Sequence, residues 1–580
     1  MEEKKLTGYP SIDRPQERFY RKIPLREIKT KQTIYELIFN TNADNLCEPA
    51  LEYMGVTWTF QKLKDEVDRA ADAFAKAGLV IGDVALIGVS NSPESVVVLL
   101  ALNKLGVISK WFDIRASEKD IEVASNESNC KILIAFDILL PKIHSILNNT
   151  KIKNVVIIKP VDALPQIAQI IYSVKNRIKL PKDPRYSYFW EFIKRGEIKS
   201  SPECVAFDGN RPSIMIQSSG TTGKPKTIIH SDLSATACVQ KLAYSDLPLG
   251  KGKSLLVYLP PWIAYALGNA IMLALALGSK VVLSPTFDPD KIVNYLGKFT
   301  ICFTAPICYR YLKDHFNELT AKQKRGLLMI ECLASGGDKI TAEENEELER
   351  ILKTVLVNGY GNNEGWGALT VNPTKHNKYG TVGIPKYGDT IIAWDNDAQK
   401  ELRYGESGEI CSLTETVFLE YEGRESETST VKKLHPDGKI WLHTGDLGFV
   451  DKDGFVTLNG RARRVIVRRA FKISAYTIED TICKHPAVKE CVAVEVNDPE
   501  EEHVPMAYIV LNGGFDSIED IKESISDMCS NELKDYEIPK YFRFVDSLPY
   551  TSNNKYDFRH LEELGNEYVR EHLFRESHDI

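Results

Sequence analysis

Ser218-Ser219-Gly220-Thr221-Thr222-Gly223-Lys224-Pro225-Lys226 gathers hydroxyls, glycines and lysines into one short stretch. Glycines let the backbone fold in on itself, so successive N–H groups can face one anion, while hydroxyls add donors and lysines add positive charge. That chemistry is phosphate binding. Ser213-Ile214-Met215-Ile216 ahead of it predicts a short buried strand, and Ile228 to Ala243 behind it predicts a helix. The expected arrangement is therefore strand, glycine-rich turn and helix, with the anion near the helix N-terminus. The G-x-x-x-x-G-K-[ST] spacing of the common nucleotide-binding loop is absent.

The string resembles the signature of the adenylate-forming superfamily, which includes acyl-CoA synthetases, adenylation domains of peptide synthetases and luciferases. Its hallmark is roughly [ST]-S-G-T-T-G-x-P-K, and residues 218 to 226 follow it throughout. Further motifs are similar in order. Tyr360-Gly361-Asn362-Asn363-Glu364, after the apolar run Val355-Leu356-Val357, looks like Y-G-x-T-E with Asn363 in place of threonine. The resemblance implies that the Tyr360 ring packs on adenine and that Glu364 ligates the Mg²⁺ bridging the phosphates, a role that suits a hard oxygen donor. Asn363 keeps a donor for a phosphate oxygen. Ser335-Gly336-Gly337-Asp338 resembles the S-G-G turn that lies against adenine. Thr444-Gly445-Asp446 and Gly460-Arg461 resemble the pair that holds the ribose hydroxyls. In Pro549 to Asp557 the terminal motif L-P-x-T-x-x-G-K-[IV]-D is approximated. Lys555 there is the implied catalytic residue, a compact positive charge between the acyl carboxylate and the α-phosphate.

The same comparison exposes departures. Arg464 stands at the usual hinge aspartate, and Ala470 replaces a glycine beside the thiol approach. The implied acyl pocket draws on Trp262, Tyr265 and Trp366 as aromatic walls. The family's P-L-x-H is Pro260-Pro261-Trp262-Ile263 here, and no acidic residue is evident to meet an amino group, which favours an apolar acid.

These groups need a scaffold, and the chain is long enough for more than one domain. It has 580 residues, 43% hydrophobic and 26% charged, an ordinary globular composition. With 73 basic against 80 acidic side chains the net charge is −7, which argues against nucleic acid as a partner. Eleven cysteines without a C-x-x-C pair predict neither zinc nor a disulfide framework, and fit a reducing cytoplasm. The charged N-terminus lacks a signal-peptide core, and the apolar run Trp262 to Gly278 predicts a buried helix rather than a transmembrane segment.

Short apolar runs at 85–89, 131–135, 155–158, 255–258 and 280–283 alternate with helical stretches, the pattern of sheets flanked by helices. Residues 1 to 30 suggest a surface arm before a first helix near Thr33. Leu164 to Ile178 carries apolar residues at helical spacing followed by Lys179, Lys182 and Arg185. Such a stripe can meet a lipid surface, but packing on its own domain is the expectation. The expected class is α/β, and the resemblance implies a large N-terminal domain of several subdomains, with mixed sheets and flanking helices (1–460), and a small mobile α+β lid (461–580).

As a whole, the resemblance implies an ATP- and Mg²⁺-dependent ligase. A fatty or aryl carboxylic acid would become an acyl-adenylate, releasing pyrophosphate, and then pass to the thiol of CoA. The alternative acceptor is the phosphopantetheine of an acyl carrier protein. A luciferase-type oxygenase and a non-catalytic nucleotide-binding paralogue are more distant readings.

Overall fold

Runs that are apolar on both faces become central parallel strands in the computed structural model. It describes residues 6–21, 31–176, 179–217, 226–338, 340–461, 464–468, 471–513, 518–550 and 556–576. Val84–Gly88 lies between Ile108–Trp111 and Ile132–Phe136 in parallel register, with all five of its side chains buried. Among the described residues this ladder grows to eight strands, and a second, nine-stranded sheet centres on Ser254–Val257, Ile301–Thr304 and Cys332–Ser335. Helix Pro93–Leu105 is apolar almost all round and sits in the core cluster that both sheets share. A third, antiparallel sheet contains Thr390–Asp395, Gly408–Leu413, Ile440–Val450 and Val456–Arg461. The architecture is α/β, as the alternation of runs predicts.

Beyond residue 461 the apolar side chains make cores of their own. Ile466, Ile473, Ile478 and Ile525 share one, and Val494, Met506, Leu548 and Leu561 another. They pack a three-stranded sheet of Val488–Asp498, Glu502–Leu511 and Tyr541–Phe544. This segregation supports a boundary between residues 460 and 461, which we propose as the domain boundary.

Three local expectations are corrected, and that of a buried helix from Trp262 holds with a refinement. The helix predicted from Ile228 begins at Asp232, because Thr227–Ser231 is a strand paired with Pro212–Gln217. The segment 218–226 therefore joins two antiparallel strands and does not lead straight into a helix. The N-terminal arm docks through two short helices, Pro10–Asp13 and Glu17–Tyr20; the buried Tyr20 hydroxyl donates to the Pro385 carbonyl at 2.6 Å. The run from Trp262 is helical and buried but wound as a π-helix over Tyr265–Met272, a rare form found disproportionately at functional sites. Helix Gln166–Asn176 exposes its apolar stripe: Ile167, Ile170, Ile171 and Val174 all face solvent. No helix among the described residues is long and apolar enough to cross a membrane.

Arg464 is held within its own domain. Its guanidinium meets both carboxylate oxygens of Glu479, at 2.5 and 3.2 Å, and also donates to the Ala493 carbonyl at 2.9 Å. Phe558 lies beneath it, with the guanidinium carbon 3.9 Å from the ring centre. The charge expected at the hinge is thus matched locally by a carboxylate that is nearly as buried. Arg464→Ala leaves Glu479 buried without its partner and should cost about 3–5 kcal/mol in urea denaturation, with Arg464→Leu/Glu479→Leu recovering most of it. A single variant within about 0.5 kcal/mol of the parent would contradict this.

Candidate functional site

A cleft of about 2600 Å³ runs between the edges of the sheets and the C-terminal domain. Its walls carry Lys226, Gly336, Gly337, Asp338, Tyr360, Gly361, Asn363, Glu364 and Asp446 from the first domain, and Arg464, Glu490, Tyr550 and Tyr556 from the second. Residues separated by more than two hundred positions therefore border one space. Ser218, Ser219, Gly220, Thr221, Thr222 and Gly223 lie outside the described residues, as do Ala470 and Lys555. Tyr550 and Tyr556, the residues flanking 551–555, form an antiparallel bridge, and both hydroxyls donate to Glu490 Oε2, at 2.9 and 3.3 Å.

The strand Val355–Asn362 carries the Tyr360 motif out of the parallel sheet into an antiparallel pairing with Gly367–Val371. The register shifts at Tyr360 and Gly361, turning the motif towards the cleft rim. Gly361 is obligatory here, since a Cβ would stand 1.8 Å from the Gly367 carbonyl oxygen. The Tyr360 hydroxyl donates to Asp446 Oδ2 at 2.5 Å and links two sheets across the cleft. Arg461 is paired opposite Asp446 in the backbone register of Ile440–Val450 and Val456–Arg461.

Asp446 rests on a buried polar chain that the sequence motifs do not advertise. Glu409 Oε1 accepts from the Gly445 N–H at 2.9 Å, and its Oε2 accepts from His443 Nδ1 at 2.7 Å. His443 Nε2 meets His435 Nε2 at 2.8 Å, and Trp394 stacks on His435 with ring centres 3.8 Å apart. Burial opposes ionisation of Glu409, yet hydrogen bonds from His443, Asn396 and Gly445 hold its carboxyl down at about 2. With Nδ1 donating to the carboxylate, His443 Nε2 and His435 Nε2 share one proton between them. Cys411 Sγ completes a group of three ligand-type atoms within 4.8 Å of one another, but the two imidazoles already satisfy each other. The only trace in sequence is His443 immediately before Thr444-Gly445-Asp446; His435 reaches it across a hairpin.

Lys226 is ion-paired with Glu427, and its ammonium lies 4.8 Å from the centre of the Tyr421 ring. The Tyr421 hydroxyl in turn donates to Glu364 Oε1 at 2.8 Å. One aromatic residue thus connects Lys226 and Glu364. Asn363 makes internal contacts: its Oδ1 accepts from the Ala264 N–H at 3.2 Å, and its Nδ2 donates to the Gln217 carbonyl at 3.5 Å. The amide ties the end of the loop's leading strand to the π-helix segment.

Trp262 and Tyr265 line the cleft with Ile263, Phe303 and Leu247, and Tyr265 stacks on Phe303 at 12° between planes. Trp366 does not join them. It is fully buried behind the wall, 4.6 Å from the His230 ring centre. Gly268 makes room for its indole, since a Cβ there would stand 2.5 Å from Nε1. Asp338 is exposed at the rim, 3.6 Å from Arg310.

His230, also absent from the motif reading, donates from Nε2 to the Asn363 carbonyl at 2.8 Å, because a carbonyl can only accept. Burial pushes its imidazole down from 6.5 to about 3. A base depressed on folding stabilises the fold fully above its unfolded pKa and loses that contribution as pH falls towards the folded value. Stability should fall below pH 6.5, by up to about 1.4 kcal/mol per pH unit from this group. His435, pushed down to about 4 by burial, adds in the same direction. Urea midpoints measured between neutral pH and pH 4 should flatten in His230→Gln; an unchanged slope would contradict the buried neutral imidazole.

Comparison with known proteins gives the family and the fold. The profile of the AMP-binding enzyme family matches residues 39–422, and that of the AMP-binding enzyme C-terminal domain matches residues 477–555. A long-chain-fatty-acid–CoA ligase of Bacillus subtilis (strain 168) is 25% identical, with 93% of this chain and 96% of the relative aligned. A 4-coumarate–CoA ligase 2 of Oryza sativa subsp. japonica is 24% identical, covering 93% of each. Among solved structures, the anthranilate CoA ligase AuaEII in complex with anthranoyl-AMP superposes with a TM-score of 0.80 at 21% identity, over 94% of this chain and 99% of that one. ATP-bound MatB from Rhodopseudomonas palustris gives 0.80 at 20% identity, over 93% and 100%.

Proposed function

The chain belongs to the AMP-binding enzyme family, the adenylate-forming enzymes, and on that footing we propose that it is an acyl-CoA synthetase acting on an apolar fatty or aryl acid. The observation that carries this reading is one cleft bordered by the phosphate-loop lysine, the Tyr360–Asp446 pair, Glu364 and an aromatic recess. In the first step a carboxylate oxygen attacks the α-phosphorus of ATP and pyrophosphate leaves. In the second, the sulfur of CoA attacks the acyl carbon and AMP leaves with the electron pair of the broken C–O bond. No protein nucleophile is required, because the mixed anhydride is itself activated.

The chain's own residues supply position and charge. Residues 218–226 hold the β- and γ-phosphates. Asp446 and Arg461 take the ribose, while Gly336, Gly337, Asp338 and Tyr360 frame adenine. Lys555 offsets the negative charge that builds up between carboxylate and phosphate. Glu364 fits Mg²⁺: its carboxylate lines the cleft, is oriented by Tyr421 and offers hard oxygen donors, so a bound ion there would neutralise phosphate charge. The aromatic and aliphatic recess around Trp262, Tyr265, Phe303 and Leu247 supports an apolar acid over an amino acid.

The test is pyrophosphate release with ATP and Mg²⁺ over aliphatic, aryl and amino acids, each with and without CoA, followed by mass spectrometry of the products. The expected result is release dependent on an apolar acid, acceleration by CoA and an acyl-CoA product. Lys555→Ala should lower acid-dependent release by roughly a hundredfold or more while ATP still binds. Release unaffected by CoA would move the acceptor to a carrier protein. Silence across the panel, with Lys555→Ala indistinguishable from the parent, would favour a nucleotide-binding paralogue.

A further inference from the structure

Helix Gln166–Asn176 is mounted with its polarity reversed. A surface helix of a water-soluble domain normally turns its apolar stripe inward. Here the inward contacts are polar: Gln169 Nε2 donates to the carbonyls of Asp162 and Leu164, at 3.1 and 2.9 Å, and the Tyr172 hydroxyl donates to Asp137 Oδ1 at 3.1 Å. The outward face is aliphatic. Ile167, Ile170, Ile171 and Val174, at the i, i+3, i+4, i+7 spacing of one helical face, are 73, 56, 63 and 69% exposed. No residue of this helix is buried. Ile138, next in the chain to the Asp137 that anchors Tyr172, is also 70% exposed.

Charge identifies what covers this face. The chain as a whole carries −7, yet residues 163 to 182 contain no aspartate or glutamate. Lys175, Lys179 and Lys182 are all exposed at the C-terminal end of the stripe. The first acid to follow, Asp183, is paired with Arg185 at 2.7 Å. A helix with an exposed aliphatic face and a purely basic flank matches the interface of an anionic bilayer, with acyl chains against the isoleucines and headgroup charge against the lysines. A second protein partner would need only the apolar face and gives no reason for the basic flank.

We propose that helix Gln166–Asn176 is an interfacial anchor that docks the protein reversibly on an anionic phospholipid surface. The anchor goes beyond the ligase reading and is measured without substrate, so the two stand or fall separately. The test is flotation of the full chain with phosphatidylcholine vesicles, with and without phosphatidylglycerol, at low salt. The parent should float with the anionic vesicles and stay behind with the neutral ones. Ile170→Asp/Ile171→Asp should abolish binding. Replacing Lys175, Lys179 and Lys182 by alanine should weaken it on the order of a hundredfold, as should added salt. All of these positions are exposed, so unchanged thermal melting serves as the folding control. Any one of three results overturns the anchor: no binding to anionic vesicles, equal binding to both kinds, or binding undiminished in Ile170→Asp/Ile171→Asp. Sedimentation as a dimer that this double substitution converts to monomer would assign the face to a second copy and also overturn it.

Discussion

The hydrogen bond from Tyr360 to Asp446 is the constraint on which the site's geometry depends. Tyr360 belongs to the far end of a parallel sheet and Asp446 to a separate antiparallel one, and the bond joins the two at the cleft. A hydrogen bond this short is exacting in direction. It fixes the Tyr360 ring, proposed to face adenine, relative to the Asp446 carboxylate, proposed to take the ribose, before any ligand arrives. Glu409, His443 and His435 set Asp446 from behind, and Asn363, held by His230, sets the strand end that carries Tyr360.

The phosphate side is built differently. Lys226 and Glu364 meet through Tyr421 rather than through a direct ion pair, and Lys226 has Glu427 as its acidic partner. Glu427 sits in the short helix Glu425–Val431, outside every recognised motif. A phosphate arriving at the loop would compete with this carboxylate for the lysine. Binding would then exchange one charge pairing for another without burying a lone ammonium.

Much of this was legible from residue order. The glycine-rich string, Tyr360-Gly361, Thr444-Gly445-Asp446 and the apolar runs marked the family, the sheet class and most strand positions. What failed was whatever depends on partners distant in sequence. Ile228 to Ser231 looks helical because apolar residues and the following helix are contiguous, but pairing with Pro212–Gln217 extends it. Trp366 looks like a pocket wall until Gly268 is seen to accept its ring. Arg464 shows in sequence only as a charge at the hinge position; its partner Glu479 is fifteen residues on, and their approach depends on the fold. Periodicity placed the stripe of Gln166–Asn176 on one helical face; it could not say whether that face turns inward.

The central claim is that this cleft joins a carboxylate oxygen to the α-phosphorus of ATP. The most direct measurement uses an accepted acid labelled with ¹⁸O in both carboxylate oxygens, with ATP, Mg²⁺ and CoA, followed by mass spectrometry of the nucleotide product. Attack on the α-phosphorus, then thiol attack at the acyl carbon, leaves one ¹⁸O in AMP. Unlabelled AMP, or label appearing in phosphate, would contradict that claim.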